Sequence, residues 1–217
     1  MAFLRPLPMV LYKYTMLSKV NITIDQDWDR IRKIYNHILQ KRLNNSLTDN
    51  YFVPEWESTQ YNLGTLGSLV YNEVLSSDWG TWSGLLLDNS LGWVQQARDY
   101  FHGLNFHGVI FSVTECSVGR HIDRKITSEN DLAQCKINYI VYSEDQSATT
   151  YIYNRDDPTI SDSYPSDFGH AYLLDVTHPH EVRSEGHREV LQFKFFNSYN
   201  EVKSFLEKAG PVRFSST

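Results

Sequence analysis

The sequence predicts a mainly β fold, either a β-sandwich or a jelly roll, with helices before and after the strands. Short segments rich in Val, Ile, Tyr, Phe and Thr follow one another after Gly103, and turn-forming residues separate them. Strands spaced this closely favour a sandwich or a jelly roll over alternating strand and helix units. The segments read GVIFSVTECSV, CKINYIVY, TTYIYN, HAYLLDVT and EVLQFKFF.

The length and composition suit one domain, since the chain has 217 residues and 41% of them are hydrophobic. We divide that domain into three parts by the texture of the sequence. Residues 1–103 read as mostly helix and loop, residues 104–197 as the β-core, and residues 198–217 as a C-terminal helix and tail. We expect the helical parts to buttress the core.

An amphipathic helix is predicted from Asp25 to Leu43, directly after the strand-like segment KVNITI. Its apolar residues recur at helical spacing with charged residues between them, so one face must pack on another element. That apolar face consists of Trp28, Ile31, Tyr35 and Ile38.

Two further helices are predicted before the β-core. Residues 44–67, rich in Asn, Ser, Thr and Gly, read as a long loop, and Ser68–Leu75 follows as the second helix. The third helix runs from Asp88 or Asn89, as N-cap, to Phe101. The residues that this third helix should bury are Trp93, Ala97 and Tyr100.

A C-terminal helix is predicted after the β-core. Ser198 as N-cap and Glu201 three residues later form a capping-box pattern, and Gly210 and Pro211 end the helix. Its apolar face consists of Val202, Phe205, Leu206 and Ala209.

The composition argues against several classes of function. The net charge is −6 and no Lys/Arg-rich run occurs, so a nucleic-acid-binding surface is not indicated. Cys116 and Cys135 lack Cys-x-x-Cys spacing and predict reduced structural thiols in a cytoplasmic protein, with one disulfide between them as the alternative. No apolar run approaches the roughly 20 residues of a membrane helix, and we read no signal peptide.

One set of residues suits a metal site. His121 and Asp123 stand two apart in a predicted strand, so their side chains point the same way. A double-stranded β-helix, a variety of jelly roll, can hold one divalent iron with two histidines and a carboxylate. The second histidine would be His180, in a strand reading YLLDVTHPHEV. Arg188 opens the next strand, where its guanidinium would clamp the far carboxylate of a dicarboxylate co-substrate.

These residues, in this order, resemble the iron(II)- and 2-oxoglutarate-dependent dioxygenases, in particular the prolyl and aspartyl/asparaginyl hydroxylase groups and their phage-encoded relatives. The resemblance covers residues 105–197 and rests on His121-x-Asp123, the later HEV segment and the arginine that begins REVLQFKF. It implies that His121, Asp123 and His180 hold Fe(II) and that Arg188 binds 2-oxoglutarate, with O2 as the other co-substrate.

The resemblance leaves two assignments open. Family members with an HEV segment tend to place the arginine ten residues after the histidine, which makes His178 an alternative to the preferred His180. A further polar contact to 2-oxoglutarate is implied from KINYIVY, and Asn138 or Tyr139 would provide it, depending on the register. The second His-x-acid pair, at His187, has no histidine after it, so His187 is interpreted as part of a hairpin turn.

By the same resemblance, the reaction is hydroxylation of a C–H bond with release of succinate and CO2. The substrate class implied first is an amino-acid side chain, free or in a peptide or protein, and the location is the cytoplasm, that of the host cell for a viral chain. Two other classes stay open. One is a cupin-like metalloprotein that does not use 2-oxoglutarate, and the other is a non-catalytic jelly-roll binding protein.

Overall fold

The computed structural model describes residues 15–43, 50–52, 67–72, 82–87, 91–123, 133–157 and 159–215. The strands are β1 (Leu17–Val20), β2 (Ile22–Asp25), β3 (Asn50–Phe52), β4 (Gly67–Asn72), β5 (Trp82–Leu87), β6 (Phe106–Thr114), β7 (Val118–His121), β8 (Cys135–Ser143), β9 (Thr149–Tyr153), β10 (Ile160–Pro165), β11 (Ala171–Asp175), β12 (His180–Arg183), β13 (Arg188–Phe195) and β14 (Val212–Ser215). The helices are α1 (Trp28–Leu43), α2 (Gly92–Tyr100) and α3 (Tyr199–Ala209).

Two antiparallel sheets form the centre of the molecule. The larger has the order β1-β11-β8-β13-β6-β5-β4-β3 and the smaller the order β10-β9-β12-β7, so from β6 to β13 the chain passes repeatedly from one sheet to the other. An apolar cluster fills the space between them, with Ile140 and Val190 from the larger sheet and Ile152 and Tyr164 from the smaller. This arrangement is a double-stranded β-helix, and the predicted fold class is confirmed.

The larger sheet has an inner face toward the smaller sheet and an outer face toward the helices, because successive strand residues point to opposite sides. On β8, Ile137 and Tyr139 belong to the core on the helix side, whereas Ile140 belongs to the cluster between the sheets. Lys136 and Asn138 have the parity of Ile140 and therefore lie on the inner face.

Helix α1 covers the outer face. Ile31 and Tyr35 are buried as predicted, and the Tyr35 ring meets that of Phe111 on β6 edge-on, with centroids 5.8 Å apart. Arg32 pairs with Glu189 at the start of β13, with Nη2 and Oε2 2.7 Å apart. Helix and sheet are therefore joined by apolar packing and by the Arg32–Glu189 ion pair.

The C-terminal helix forms as predicted. The Ser198 side chain accepts a hydrogen bond from the backbone of Glu201, and the Glu201 carboxylate accepts one from the backbone of Ser198, so the capping box is complete. Gly210 ends the helix with φ 78°, a conformation that favours glycine. The chain then continues into β14, which pairs in parallel with β2 and was not predicted.

The part before the β-core is less helical than predicted. The prediction of a helix at Ser68–Leu75 is wrong, because residues 67–72 form β4 and pair with β5. Strands β1–β5 lie among the first 103 residues, and all except β2 extend the larger sheet. Val70 and Tyr71 are strand-forming residues, and pairing with a neighbouring strand prevails over a weak helical pattern.

Three boundaries also differ from the sequence prediction. Helix α1 begins at Trp28, and α2 begins after Leu91 without a side-chain cap, while the proposed caps Asp88 and Asn89 lie outside the described residues. The segment YLLDVTHPHEV is not one strand: residues 176–179 form a turn that carries the chain from β11 to β12, hence from one sheet to the other.

Cys116 and Cys135 are both free thiols. None of the described helices is long and apolar enough to cross a membrane.

Candidate metal centre

His121, Asp123 and His180 come together at one end of the smaller sheet. His121 is the last residue of β7, Asp123 follows two residues later, and His180, the first residue of β12, is the strand partner of His121. Asp123 Oδ1 lies 3.4 Å from His121 Nε2 and 3.3 Å from His180 Nε2. One ligand atom from each residue falls within a group no wider than 4.8 Å, which suits a single metal ion.

The rings of both histidines are oriented by backbone carbonyls. His121 Nδ1 lies 2.8 Å from the carbonyl oxygen of Gly119, and His180 Nδ1 lies 3.0 Å from that of His178. When Nδ1 donates to a carbonyl, the Nε2 atom keeps its lone pair, and both Nε2 atoms here face Asp123. This is the outer hydrogen bonding typical of metal-ligating histidines, so the residues fit a bound divalent ion.

The electrostatics of the site favour the ligand forms of its residues. Burial opposes ionisation of Asp123, but the charge of Lys136 and the adjacent imidazoles of His121 and His180 hold the pKa of its carboxyl well below the usual range. Burial, together with the charge of Lys136, lowers the pKa of His180. A carboxylate and a neutral imidazole are the forms that bind metals.

Lys136 is the unexpected member of this group. From the inner face of β8 its ammonium Nζ lies 3.0 Å from Asp123 Oδ2 and 3.4 Å from His180 Nε2. The lysine is buried, and its charge neutralises that of the aspartate.

Arg188 lies in the interior at the start of β13 and is 4% exposed. Its Nε donates to Ser166 Oγ at 2.7 Å, and its Nη2 lies 3.4 Å from Thr150 Oγ1. Among the described residues, no carboxylate forms an ion pair with it. The adjacent Glu189 points to the outer face and pairs there with Arg32. Burial lowers the pKa of Arg188.

A buried guanidinium without a counter-charge is costly. Because the groups that contact Arg188 are neutral hydroxyls, its positive charge is left for an anionic ligand. Arginine presents a rigid fork of donors that matches a carboxylate. The surroundings of Arg188 are therefore suited to a carboxylate ligand.

Asn138 is linked to Arg188 through Tyr164. Asn138 Nδ2 donates to the Tyr164 hydroxyl at 2.7 Å, and the Tyr164 ring stacks on that of Tyr172 with centroids 4.3 Å apart. The Tyr164 hydroxyl also interacts with Arg188. Asn138 Oδ1 is buried and has no hydrogen-bond partner among the residues that the structure describes. Asn138 Oδ1 can thus accept a hydrogen bond from a polar group of a bound ligand.

The metal centre and Arg188 are neighbours along β9. His180 is opposite Ile152, and Thr150, which contacts Arg188, is two residues earlier on the same face of that strand. Two strand residues span about 6.6 Å. A small dicarboxylate can therefore extend from the metal centre toward Arg188.

The other sequence candidates lie elsewhere. The His178 side chain faces Asp175, with Nε2 and Oδ2 4.0 Å apart. The group that could hold a metal contains His180 and not His178. Tyr139 is on the outer face, where its ring lies 6.2 Å from that of Trp28, which corrects the second of the two contacts considered from β8. His187 lies in the turn before β13, as interpreted from the sequence, and contacts Glu115 and Glu189.

Lys136 and the residues around Arg188 were not predicted from the sequence. Thr150, Tyr164 and Ser166 come from β9, β10 and the turn that follows, and no motif links them. Lys136 lies within the predicted strand CKINYIVY, but a lysine near the end of a strand reads as a solvated residue. These side chains come together in the interior only because the larger sheet packs on the smaller sheet.

No protein-family model matches the sequence, and no curated protein matches it. Among solved structures, a Pseudomonas putida prolyl-4-hydroxylase is similar at 13% identity over 83% of this chain and 92% of its own, with a TM-score of 0.45. The non-heme alpha-ketoglutarate-dependent epimerase SnoN of nogalamycin biosynthesis is similar at 10% identity over 85% and 78% of the two chains, with a TM-score of 0.44. A Burkholderia pseudomallei oxidoreductase of the 2OG-Fe(II) oxygenase family is similar at 13% identity over 60% and 69%, with a TM-score of 0.37. Similarities of this size transfer neither activity nor substrate to this chain.

Proposed function

We propose that this protein is an Fe(II)- and 2-oxoglutarate-dependent oxygenase that hydroxylates a C–H bond of an amino-acid side chain, free or in a peptide or protein. His121, Asp123 and His180 hold the iron. Arg188 binds the far carboxylate of 2-oxoglutarate. Asn138 and Tyr164 line the space between the iron and Arg188.

The observation that carries the proposal is the buried Arg188, which has hydroxyl partners and no carboxylate partner among the described residues. A metal centre alone does not require it. A metalloprotein that did not use 2-oxoglutarate would hold the same ion and would have no use for a buried cation beside it. A non-catalytic binding protein would need neither feature.

Each residue contributes a distinct part of the reaction. Bound Fe(II) supplies the activation of O2, which is coupled to the decarboxylation of 2-oxoglutarate to succinate and CO2 and to hydroxylation of the substrate. His121 and His180 present Nε2 atoms whose direction is set by backbone carbonyls. Arg188 fixes the orientation of 2-oxoglutarate through charge-assisted hydrogen bonds.

The proposal is tested by thermal unfolding of the metal-free protein, the Mn(II)-loaded protein and the Mn(II)-loaded protein with 2-oxoglutarate. Ligands that bind only the folded state must raise its unfolding temperature. We expect a first increase with Mn(II) and a second with 2-oxoglutarate. His180→Ala should abolish both, while the matched control His178→Ala should keep both. No second increase in the wild-type protein would contradict the use of 2-oxoglutarate, and no increase at all would contradict the metal centre.

A further inference from the structure

The inner face of the larger sheet carries a second cationic feature beside the metal centre. Lys194 on β13 is the strand partner of Lys136 on β8, and paired residues project from the same face of a sheet. Because the Lys136 ammonium reaches Asp123 and His180, this face lines the interior at the metal centre. Lys194 therefore projects into the same space.

Two lysines directly opposite each other on neighbouring strands repel and destabilise a sheet. Lys194 has no hydrogen bond or ion pair to any residue in the described part of the chain, and Asp123, the nearby carboxylate, is in contact with Lys136 instead. Burial lowers the pKa of Lys194; the charge of Asp123 partly opposes this, and the charge of Lys136 adds to it. The fold thus keeps Lys194 in a partly buried position, where the charge of Asp123 acts on it only at a distance and no carboxylate of the described residues contacts it.

The charges of the proposed reaction components do not compensate this cation. A metal ion at the centre takes up the charge of Asp123, which is the carboxylate that Lys136 contacts. One carboxylate of 2-oxoglutarate goes to Arg188, and its other end goes to the metal. Two ammonium groups then remain at the metal end of the interior, where the substrate must enter.

We propose that Lys194, with Lys136 opposite it, binds a carboxylate of the primary substrate. This inference rests on the proposed function and narrows it. The substrate is then a molecule that carries a free carboxylate close to the oxidised C–H bond, as a free amino acid or the C-terminal residue of a peptide does. An internal residue of a folded protein has no such group on its backbone.

The test uses the Mn(II)-loaded protein saturated with 2-oxoglutarate, and its readout is thermal stabilisation by a panel of compounds. The panel contains the common L-amino acids other than Asp and Glu, dipeptides of these amino acids with a free C-terminus, and the C-terminal amides of both sets, which lack the carboxylate. Lys194→Met removes the charge and keeps much of the side-chain length. Lys208→Met, on the exposed last turn of α3, is the matched control.

We expect at least one free acid to stabilise the wild-type protein and Lys208→Met, while its amide does not. Lys194→Met should bind that acid roughly thirtyfold more weakly than the wild type does, because it lacks one partner of a partly desolvated charge pair. Its affinity for 2-oxoglutarate should be unchanged. Stabilisation by dipeptides as well as amino acids would identify a peptide end, and stabilisation by amino acids alone would identify a free amino acid.

Three results would overturn the inference. The first is that no free acid stabilises the wild-type protein, or that amides do so equally. The second is an acid that binds Lys194→Met as tightly as the wild type. The third is weaker binding of 2-oxoglutarate by Lys194→Met, which would assign the lysine to the co-substrate. Failure of 2-oxoglutarate to bind the wild-type protein is a separate result that would overturn the proposed function and this inference with it.

Discussion

Replacement of Arg188 by methionine should have opposite effects on the empty protein and on the complex with 2-oxoglutarate. In the empty protein the guanidinium is buried against the hydroxyls of Ser166 and Thr150. Its removal loses hydrogen bonds of about 1.5–3 kcal/mol each. It also removes a buried charge whose desolvation costs several kcal/mol. We therefore expect the stability of the empty protein to be unchanged or raised.

The complex should lose stability by an amount that can be calculated. Loss of one partner of a buried charge pair costs at least about 2 kcal/mol, which raises the dissociation constant of 2-oxoglutarate about thirtyfold. At a concentration 100 times the wild-type dissociation constant, 2-oxoglutarate stabilises the wild-type protein by about 2.7 kcal/mol. The variant should gain only about 0.9 kcal/mol or less at that concentration.

The assay is urea unfolding of the Mn(II)-loaded protein with and without 2-oxoglutarate. Arg213→Met, which removes an exposed arginine paired with Asp25, is the matched control and should keep the full increment. A variant at Arg188 that loses more than about 3 kcal/mol when empty would show that the arginine is a structural group, as for removal of one partner of a buried ion pair. An unchanged increment with 2-oxoglutarate would refute the assignment of the carboxylate pocket.

Three further substitutions test parts of the structure. Tyr164→Phe removes a hydroxyl that contacts Arg188, and it should weaken 2-oxoglutarate binding about tenfold in a calorimetric titration; an unchanged affinity would exclude the hydroxyl from the pocket. A hydrogen bond to Glu189 raises the pKa of His187, so the stability that this pairing provides is complete below about pH 6.5 and is lost as pH rises through the folded-state pKa. Between pH 6 and 8.5, on the order of 1 kcal/mol more stability should therefore be lost in the wild type than in His187→Gln, and parallel pH profiles would contradict this. Ser198→Ala should remove about 1 kcal/mol of helix capping and lower the unfolding temperature by about 2–4 °C; no change would mean that Glu201 alone suffices to cap α3.

Much of the fold could be predicted because it depends on local patterns. The capping box of Ser198 and Glu201 and the apolar face of α1 are short-range signals that tertiary packing did not override. Strand β4 was missed because its identity depends on pairing with β5, across residues outside the described part. The break between β11 and β12 was missed because strand-forming residues continue across the boundary until His178-Pro179.

The metal centre could be predicted in part for a similar reason. His121 and Asp123 are related by strand parity within one segment, which the sequence displays directly. His180 required a choice between two histidines, and the turn at residues 176–179 decides it by placing His180 opposite His121. Lys136 and Lys194 could not be predicted as a pair, because only the register of β8 and β13 places them opposite each other.

The most direct test of the central claim is anaerobic titration of the Fe(II)-loaded protein with 2-oxoglutarate, followed by visible absorption. A bidentate 2-oxo acid on Fe(II) gives a weak charge-transfer band. We predict that the band appears in the wild type and in His178→Ala, is absent in His180→Ala, and requires roughly thirtyfold more 2-oxoglutarate in Arg188→Met. If folded, iron-loaded wild-type protein gave no band at any concentration of 2-oxoglutarate, the proposed use of 2-oxoglutarate would be contradicted.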